Sequence, residues 1–351
     1  MPKKVGDWYA YSGAIHIHTT ESDGTKTLDE VVRIGRDAGL EFMMFSDHMT
    51  LSNRERGLEG FYGDTLVVIG YEHNDVRDHH HYLLFESPGV YPADMTVAEY
   101  VAAGARDGAL GILAHPDEIR TALEDHPAYP WTDWSVDGFV GIELWNQMSE
   151  WMEKLTRYNK LMMSFSPRRS MEGPTDRILR KWDELNMFRK VVGLAGADAH
   201  AFPIKAGPFT VEIFPYKVHF RCLRSHLLLK ERMSSDFEVA KKQLYEAIRD
   251  CRLFFSNMRW GIADDFEFVA ESSSKTVSCG GWLPYPEGVR LKTRLPEPAQ
   301  IKLVHNGRTV VECHSDYLEF TDVRQGIYRI EVWKNGRGWI FSNHIRIATE
   351  T

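Results

Sequence analysis

The chain is 351 residues long, more than one hydrophobic core usually encloses, so a large domain and a smaller one are expected. Its 43% hydrophobic and 26% charged content is that of a globular protein. A formal net charge of −8 argues against nucleic acid or an anionic membrane as the main partner, since both reward basic surfaces, yet it permits a locally cationic pocket.

The N-terminal "MPKKVGDWYAYSG" lacks the apolar core of a signal peptide, and no stretch approaches the roughly twenty apolar residues of a membrane span, so the cytoplasm is the expected location. "GAIHIH" reads as a strand. "TLDEVVRIGRDAGL" reads as a helix, with Leu28, Val31, Val32 and Ile34 near helical spacing and Gly39 as its stop. "EFMMFSDH", "TLVVIGYEH" and "HHHYLLFES" read as strands. The helix "TVAEYVAAGARDG" follows, then the strands "LGILAHP", "FVGIELWN" and "VVGLAGADAH". Strands alternating with helices predict a parallel α/β sheet, and this many of them suggest a barrel. Residues 147–190, rich in Met, Trp, Lys and Arg, and residues 216–250 read as helical insertions, giving a first domain over 1–258.

From residue 259 to 351 the texture is all-β. Short alternating segments are separated by turn chemistry, with hairpin turns expected at Asn306-Gly307 and Asn335-Gly336. A small β-sandwich of immunoglobulin-like shape fits this spacing. The loop "GWLPYPEG" (281–288) is expected to pack against the barrel and border its cleft. Cys222, Cys251, Cys279 and Cys313 form no Cys-x-x-Cys pair, which favours reduced, buried thiols over a disulfide scaffold or a thiolate zinc site.

His, Asp and Glu gather at the ends of the apolar runs: His16 and His18, Asp47 and His48, Glu72, the 79–81 histidines, His115, Asp198 and His200. In a parallel α/β barrel the C-terminal ends of the strands form the active face. A His-x-His on a strand points both rings to one side, because the side-chain period is two. Imidazole and carboxylate without thiolate suit zinc, manganese or iron, and this many donors exceed the needs of one ion.

"HIHTTESDG", "FSDHMT", "GYEHND", "LAHP" and "GADAH", in this order over about residues 11–205, resemble the ordered motifs of the PHP (polymerase and histidinol phosphatase) superfamily. The closing β segments, "GIYRIEV" and "WIFSNHIRI", further resemble its CehA/McbA (carbaryl-hydrolase-like) branch. The resemblance implies a distorted (β/α)7 barrel holding two to three divalent ions (Zn, Mn or Fe) in a trinuclear centre. It implies one ion on His16, His18, Glu72 and Asp198, a second on Glu72, His81 and His115, and a third on Asp23, His48 and His200. His80 is the alternative to His81, and Asp23 has a turn-forming alternative in Ser-Asp-Gly. A metal-bridging hydroxide held by Glu72, Asp198 and His115 would be the nucleophile, and Asp47 would fix an imidazole tautomer by accepting its N–H.

The implied activity is metal-dependent hydrolysis of a phosphate monoester or diester of a small molecule. Arg168, Arg169 and Lys205 are candidates for holding the anionic substrate. Trp145 and Trp182 belong either to a pocket wall or, more in keeping with their type, to the core. Cleavage of a carboxyl ester or carbamate on the same centre is the alternative. A non-catalytic metal module whose β-sandwich binds carbohydrate or protein is another. The oligomeric state is not legible.

Overall fold

A computed structural model of the protein describes residues 3–76, 80–120, 127–156, 158–206, 209–285 and 288–349, with backbone alone described for 160–161, 204–206 and 209–211. His79, the side chain of Lys205 and residues 286–287 of the 281–288 loop therefore lie outside the described set. The chain is mixed α/β and forms two compact units: Gly13–Met171 with Ala195–Arg224, and Met1–Ser12 with Glu172–Leu194 and Ser225–Thr351. Among the described residues no helix is long and apolar enough to cross a membrane. None of the four cysteines is in a disulfide, and Cys222, Cys251 and Cys279 are buried.

In the unit holding residues 13–171, the strand Trp8–Ile17 pairs in parallel with Phe42–Phe45, which pairs in parallel with Thr65–Ile69. The intervening helix, Leu28–Asp37, starts where Glu30 Oε2 accepts the Thr27 backbone N–H at 2.9 Å, and it buries Leu28, Val31 and Val32. Gly35 lets that helix close on the sheet, since a Cβ there would meet Met43 Sδ at 2.4 Å.

A second set of strands in this unit runs in the spatial order Gly141–Asn146, Leu110–Leu113, His81–Phe85, Tyr71–Asn74. Here the all-parallel expectation fails at one place. His81–Phe85 runs antiparallel to both Tyr71–Asn74 and Leu110–Leu113. The linker after Asn74 is too short for the crossover of a dozen or more residues that a parallel return requires, so the chain turns back on itself. As a result His81, the first residue of its strand, arrives at the edge where the neighbouring strands end.

Backbone hydrogen bonds lace those ends together. Ala197 N donates to Ile15 O, Ser46 N to Ile17 O, Gly70 N to Phe45 O, Glu72 N to Asp47 O and Ala114 N to His81 O, all between 2.8 and 3.1 Å.

The other unit carries the antiparallel strands Glu267–Glu271, Thr276–Ser278, Arg290–His305, Arg308–Phe320, Gly326–Lys334 and Arg337–Ser342. Both Asn-Gly pairs stand at hairpin tips with positive φ at both residues, +48° and +78° at 306–307 and +53° and +72° at 335–336. Segments that read separately in the sequence fuse here: Arg290–His305 is one strand whose register shifts between Arg294 and Ala299. Pro296 and Pro298 lie in that interval and have no N–H to give the ladder. Its core is built on Phe268, Ile301, Tyr328, Ile330, Val332, Trp339 and Ile345.

One buried ionic network ties the helix Asp176–Phe188 to this β region. Arg329 donates Nε and Nη2 to the two oxygens of Asp183 at 2.7 and 2.8 Å and Nη1 to Glu331 at 2.6 Å, and His344 Nε2 donates to Asp183 Oδ1 at 2.7 Å. Burial pushes the Asp183 carboxyl upward, but Arg329 and His344 outweigh it and hold it at about 2. A carboxylate depressed in the folded state adds stability above its unfolded pKa of about 3.9, and that stability is lost as pH falls towards about 2. Asp183→Asn is expected to cost about 3 kcal/mol at pH 7, read from urea unfolding, because it leaves a buried guanidinium short of charge. The gap from wild type should narrow between about pH 4 and pH 2; an unchanged gap over that window would exclude this titration.

Candidate metal centre

The centre is assembled on the laced strand ends from His16, His18, Asp23, His48, Glu72, His81, His115, Asp198 and His200, all in one compact unit. Glu72 is 1% exposed and in contact with five imidazoles. Its Oε1 lies 2.8 Å from His81 Nδ1 and 3.3 Å from His115 Nε2; its Oε2 lies 2.8 Å from His16 Nε2, 3.2 Å from His18 Nε2 and 3.6 Å from His48 Nδ1.

His16 and His18 reach the centre by a route different from simple strand alternation. The parallel register skips between Ile15 and Ile17, so His16 is the extra residue of a bulge, with φ +69°, and His18 lies just past the strand end. The bulge re-aims the first ring, and the two ring centroids still stand 5.0 Å apart.

His115 (φ +28°) and Asp198 (φ +48°) are also left-handed non-glycine residues, as are Met49 (+51°) beside His48 and Ala201 (+59°) beside His200. Such backbone costs on the order of 1–3 kcal/mol per residue and persists where the surroundings over-determine it.

Asp23 is carried back over His18 by a tight turn in which Ser22 N and Gly24 N donate to Thr19 O at 3.2 and 2.9 Å. A Cβ on Gly24 would stand 2.7 Å from the His18 carbonyl, so only glycine allows that approach. Asp23 Oδ1 lies 3.1 Å from His200 Nε2 and 3.5 Å from His18 Nδ1, and Oδ2 lies 3.7 Å from His48 Nε2. Its turn role and its place in the centre are thus compatible.

Among the described residues the hydrogen-bond donors to Asp47 are not imidazoles. It accepts from Thr19 N (2.6 Å), Thr19 Oγ1 (2.8 Å), Ser22 Oγ (2.9 Å) and Asn53 Nδ2 (3.2 Å), and so braces the turn that delivers Asp23. The reason is local: the two N–H and O–H donors of Thr19 reach it first. Of the 79–81 histidines, His81 faces Glu72, whereas His80 Nε2 lies 2.8 Å from Thr132 Oγ1 and its ring is edge-on to Trp131.

Arg168 donates Nη1 to Arg221 O at 2.9 Å and Arg169 is exposed, so neither is drawn into the cluster. Trp145 and Trp182 are fully enclosed core residues whose indole N–H groups reach Glu150 and Val191 O.

Three contributors escape a motif reading. Glu143 accepts from His16 Nδ1 at 2.7 Å and from the His115 backbone N–H at 2.8 Å. Glu118 lies 3.7 Å from His115 Nδ1 and is paired with Arg120. Tyr129 stacks on His81 at 4.5 Å and 15°. A carboxylate in the middle of the apolar run "GIELWN" was itself a signal, because a buried charge needs a partner.

Charge explains why the cluster suits cations. Burial lowers His16, but Glu143, Glu72 and Asp198 outweigh it and raise the imidazole well above its ordinary value. Burial and the neighbouring His200 and His48 drive His18 down to about 3, while Asp23 and Asp198 overcome burial to raise His200 to about 9. Glu72 and Asp198 are held below the carboxylate range, against the push of burial, by the surrounding histidines.

Hydrogen bonding leaves the same gap. His18 Nε2, His48 Nδ1 and His115 Nδ1 are buried without a hydrogen-bond partner. Donor atoms fall within 4.8 Å of one another in four groups: His18, Asp23, His48 and His200; His16, His18 and Glu72; His16, His115 and Asp198; and His48, Glu72 and His81. Orphaned imidazole nitrogens facing shared carboxylate oxygens are the donor set of divalent cations. Two groups keep together residues that the family resemblance assigns to one ion, Asp23 with His48 and His200, and His16 with His18 and Glu72; His18 also stands beside the first set, and His115 beside His16 and Asp198.

Solved structures similar to the chain include a two-domain protein containing a predicted PHP-like metal-dependent phosphoesterase from Bacteroides vulgatus, at 12% identity over 98% of this chain and 97% of that one, with a TM-score of 0.47. Another is a candidate metal-dependent phosphoesterase from Bifidobacterium adolescentis, at 16% identity over 61% of this chain and 94% of that one, with a TM-score of 0.31. No family model and no curated protein matches the sequence. Likenesses at this level leave the chemistry to be argued from the side chains.

Glu72→Gln keeps the volume but removes the charge that five imidazoles share. The variant is expected to retain fewer ions per chain than wild type after dialysis against Zn²⁺ or Mn²⁺, with affinity lowered more than about 100-fold, measured by elemental analysis and chelator competition. Equal metal content in the two proteins would exclude Glu72 as a shared ligand.

Proposed function

We propose that this protein is a metal-dependent hydrolase of small phosphate esters, its ions held by His16, His18, Asp23, His48, Glu72, His81, His115, Asp198 and His200 in a trinuclear centre at the mouth of a distorted seven-stranded barrel. The observation that carries the reading is the sharing of donors: His16, His18, His48 and Glu72 each belong to more than one group, so neighbouring cation positions are built into one cluster. Adjacent divalent ions lower the pKa of water towards neutrality and neutralise charge on the oxygens of a phosphoryl group in displacement.

The chain's own residues supply the rest. Glu72 keeps its negative charge while buried, because imidazoles surround both of its oxygens. His200 has Nδ1 tied to the Asp198 carbonyl at 3.0 Å, which leaves Nε2 directed at Asp23. Asp23, with its side chain 55% exposed, stands at the solvent side of the cluster, where substrate would enter.

A small anionic substrate, rather than a nucleic acid, agrees with the acidic net charge. Cleavage of a carboxyl ester or carbamate remains the second reading. It gains from Arg168, whose guanidinium is directed to Arg221 O. Zinc, manganese and iron all suit these donors.

The test is hydrolysis of p-nitrophenyl phosphate, bis-p-nitrophenyl phosphate and p-nitrophenyl acetate by protein reloaded with Zn²⁺ or Mn²⁺. A phosphate substrate is expected to turn over, to stop on chelation, and to slow about 100-fold or more in Asp198→Ala. Turnover of the acetate alone would shift the assignment to ester hydrolysis. No metal-dependent turnover of any substrate would remove the enzyme assignment.

A further inference from the structure

Glu143 is a carboxylate that motif reasoning gives no role, and its surroundings are specific. It stands in the middle of the strand Gly141–Asn146 with its side chain 0% exposed, and it makes no contact with solvent that could explain a charge there. Its Oε1 accepts from His16 Nδ1 at 2.7 Å. Its Oε2 accepts from the His115 backbone N–H at 2.8 Å and from Asn146 Nδ2 at 2.9 Å. Asn146 is itself fixed, because its Oδ1 caps the helix Gln147–Glu153 by accepting Ser149 N at 2.9 Å. The strand that leads to Asp198 makes room for the same carboxylate: a Cβ on Gly196 would stand 2.0 Å from Glu143 Oε1. One carboxylate therefore touches the segments that deliver His16, His115 and Asp198, which together form one of the donor groups.

We propose that Glu143 is the positioning residue of the centre: by accepting the Nδ1 proton of His16 and the N–H of His115, it turns His16 Nε2 inward and holds His115 in its left-handed backbone conformation. This inference rests on the metal-hydrolase reading above. A neutral imidazole has one N–H and one lone pair, so a carboxylate on Nδ1 commits Nε2 to the metal side. The ring's Nε2 faces Glu72 Oε2 at 2.8 Å and Asp198 Oδ1 at 3.6 Å, the atoms it would join in ligation. At His115 the same acceptor anchors a residue with φ +28°. Gly196 is glycine for space alone, since its φ is not left-handed.

The test uses the full chain loaded with Zn²⁺ and compares wild type with Glu143→Gln and Glu143→Ala. Val101→Ala, a core change in the same unit, serves as the control for lost stability. In wild type, ¹⁵N-histidine NMR is expected to show a slowly exchanging Nδ1–H on His16, assigned by its loss in His16→Gln. Both Glu143 variants should lose that protection and bind Zn²⁺ about 10- to 100-fold more weakly in chelator competition. Gln keeps the volume but opposes an NH₂ to one of the donors, so it separates orientation from packing if the alanine variant fails to fold. Gly196→Ala, which displaces the carboxylate without removing it, should weaken binding in the same direction. Wild-type affinity and an unchanged N–H signal in Glu143→Gln would overturn the proposal. An equal loss of affinity in Val101→Ala at a matched urea midpoint would also overturn it. A wild-type protein that binds no Zn²⁺ would instead remove the metal reading on which it stands.

Discussion

A buried carboxylate surrounded on both oxygens by imidazole is the constraint around which one unit of this protein is organised. Removing Glu72 from water costs several kcal/mol unless opposite charge replaces the lost hydration. The surrounding imidazoles hold the Glu72 carboxyl low, but they cannot all be protonated at once. His18 and His200 stack with centroids 4.0 Å apart, and two imidazolium rings at that distance repel each other. Burial and its neighbours keep His18 neutral, while Asp23 and Asp198 draw His200 the other way. Divalent cations would resolve the conflict, because neutral imidazoles could then donate lone pairs where they could not all carry protons.

The other unit solves the same problem with covalently supplied charge. Asp183 is as deeply buried as Glu72, but Arg329 meets it with a two-pronged guanidinium and His344 adds a third donor. That network is closed, with its partner built into the chain. The histidine cluster is open, with His18 Nε2, His48 Nδ1 and His115 Nδ1 buried without a hydrogen bond. The two buried acids thus differ in whether a guanidinium of the chain meets them, which separates a closed structural device from a candidate site for ions.

Backbone irregularity is concentrated where the donors are. A bulge at His16, left-handed φ at His115 and Asp198, and a strand reversed before His81 all depart from regular parallel β structure. Each departure moves an imidazole or carboxylate inward, and each is held by identifiable bonds: Glu143 behind His16 and His115, and Asp47 and Thr19 behind the Asp23 turn. Strain of a few kcal/mol is sustained because the surrounding strands are fully buried and laced to one another.

Much of this was written in the residues themselves. The period of Leu28, Val31 and Val32, the Asn-Gly pairs at 306 and 335, and the placing of His, Asp and Glu beside apolar runs are local features, and local sterics, hydrogen bonding and hydrophobicity are enough to read them. The motifs already put Asp23 with His48 and His200, and His16 with His18 and Glu72, but the pairwise geometry was not legible, because which imidazole meets which carboxylate oxygen depends on strand register and direction, set by contacts between residues up to 182 positions apart, as between His18 and His200. The reversal of His81–Phe85, the engagement of Asp47 by Thr19 and the place of Glu143 behind His16 were likewise decided only in three dimensions. A buried acid announces in the sequence that it needs a partner, but only packing chooses which one it receives.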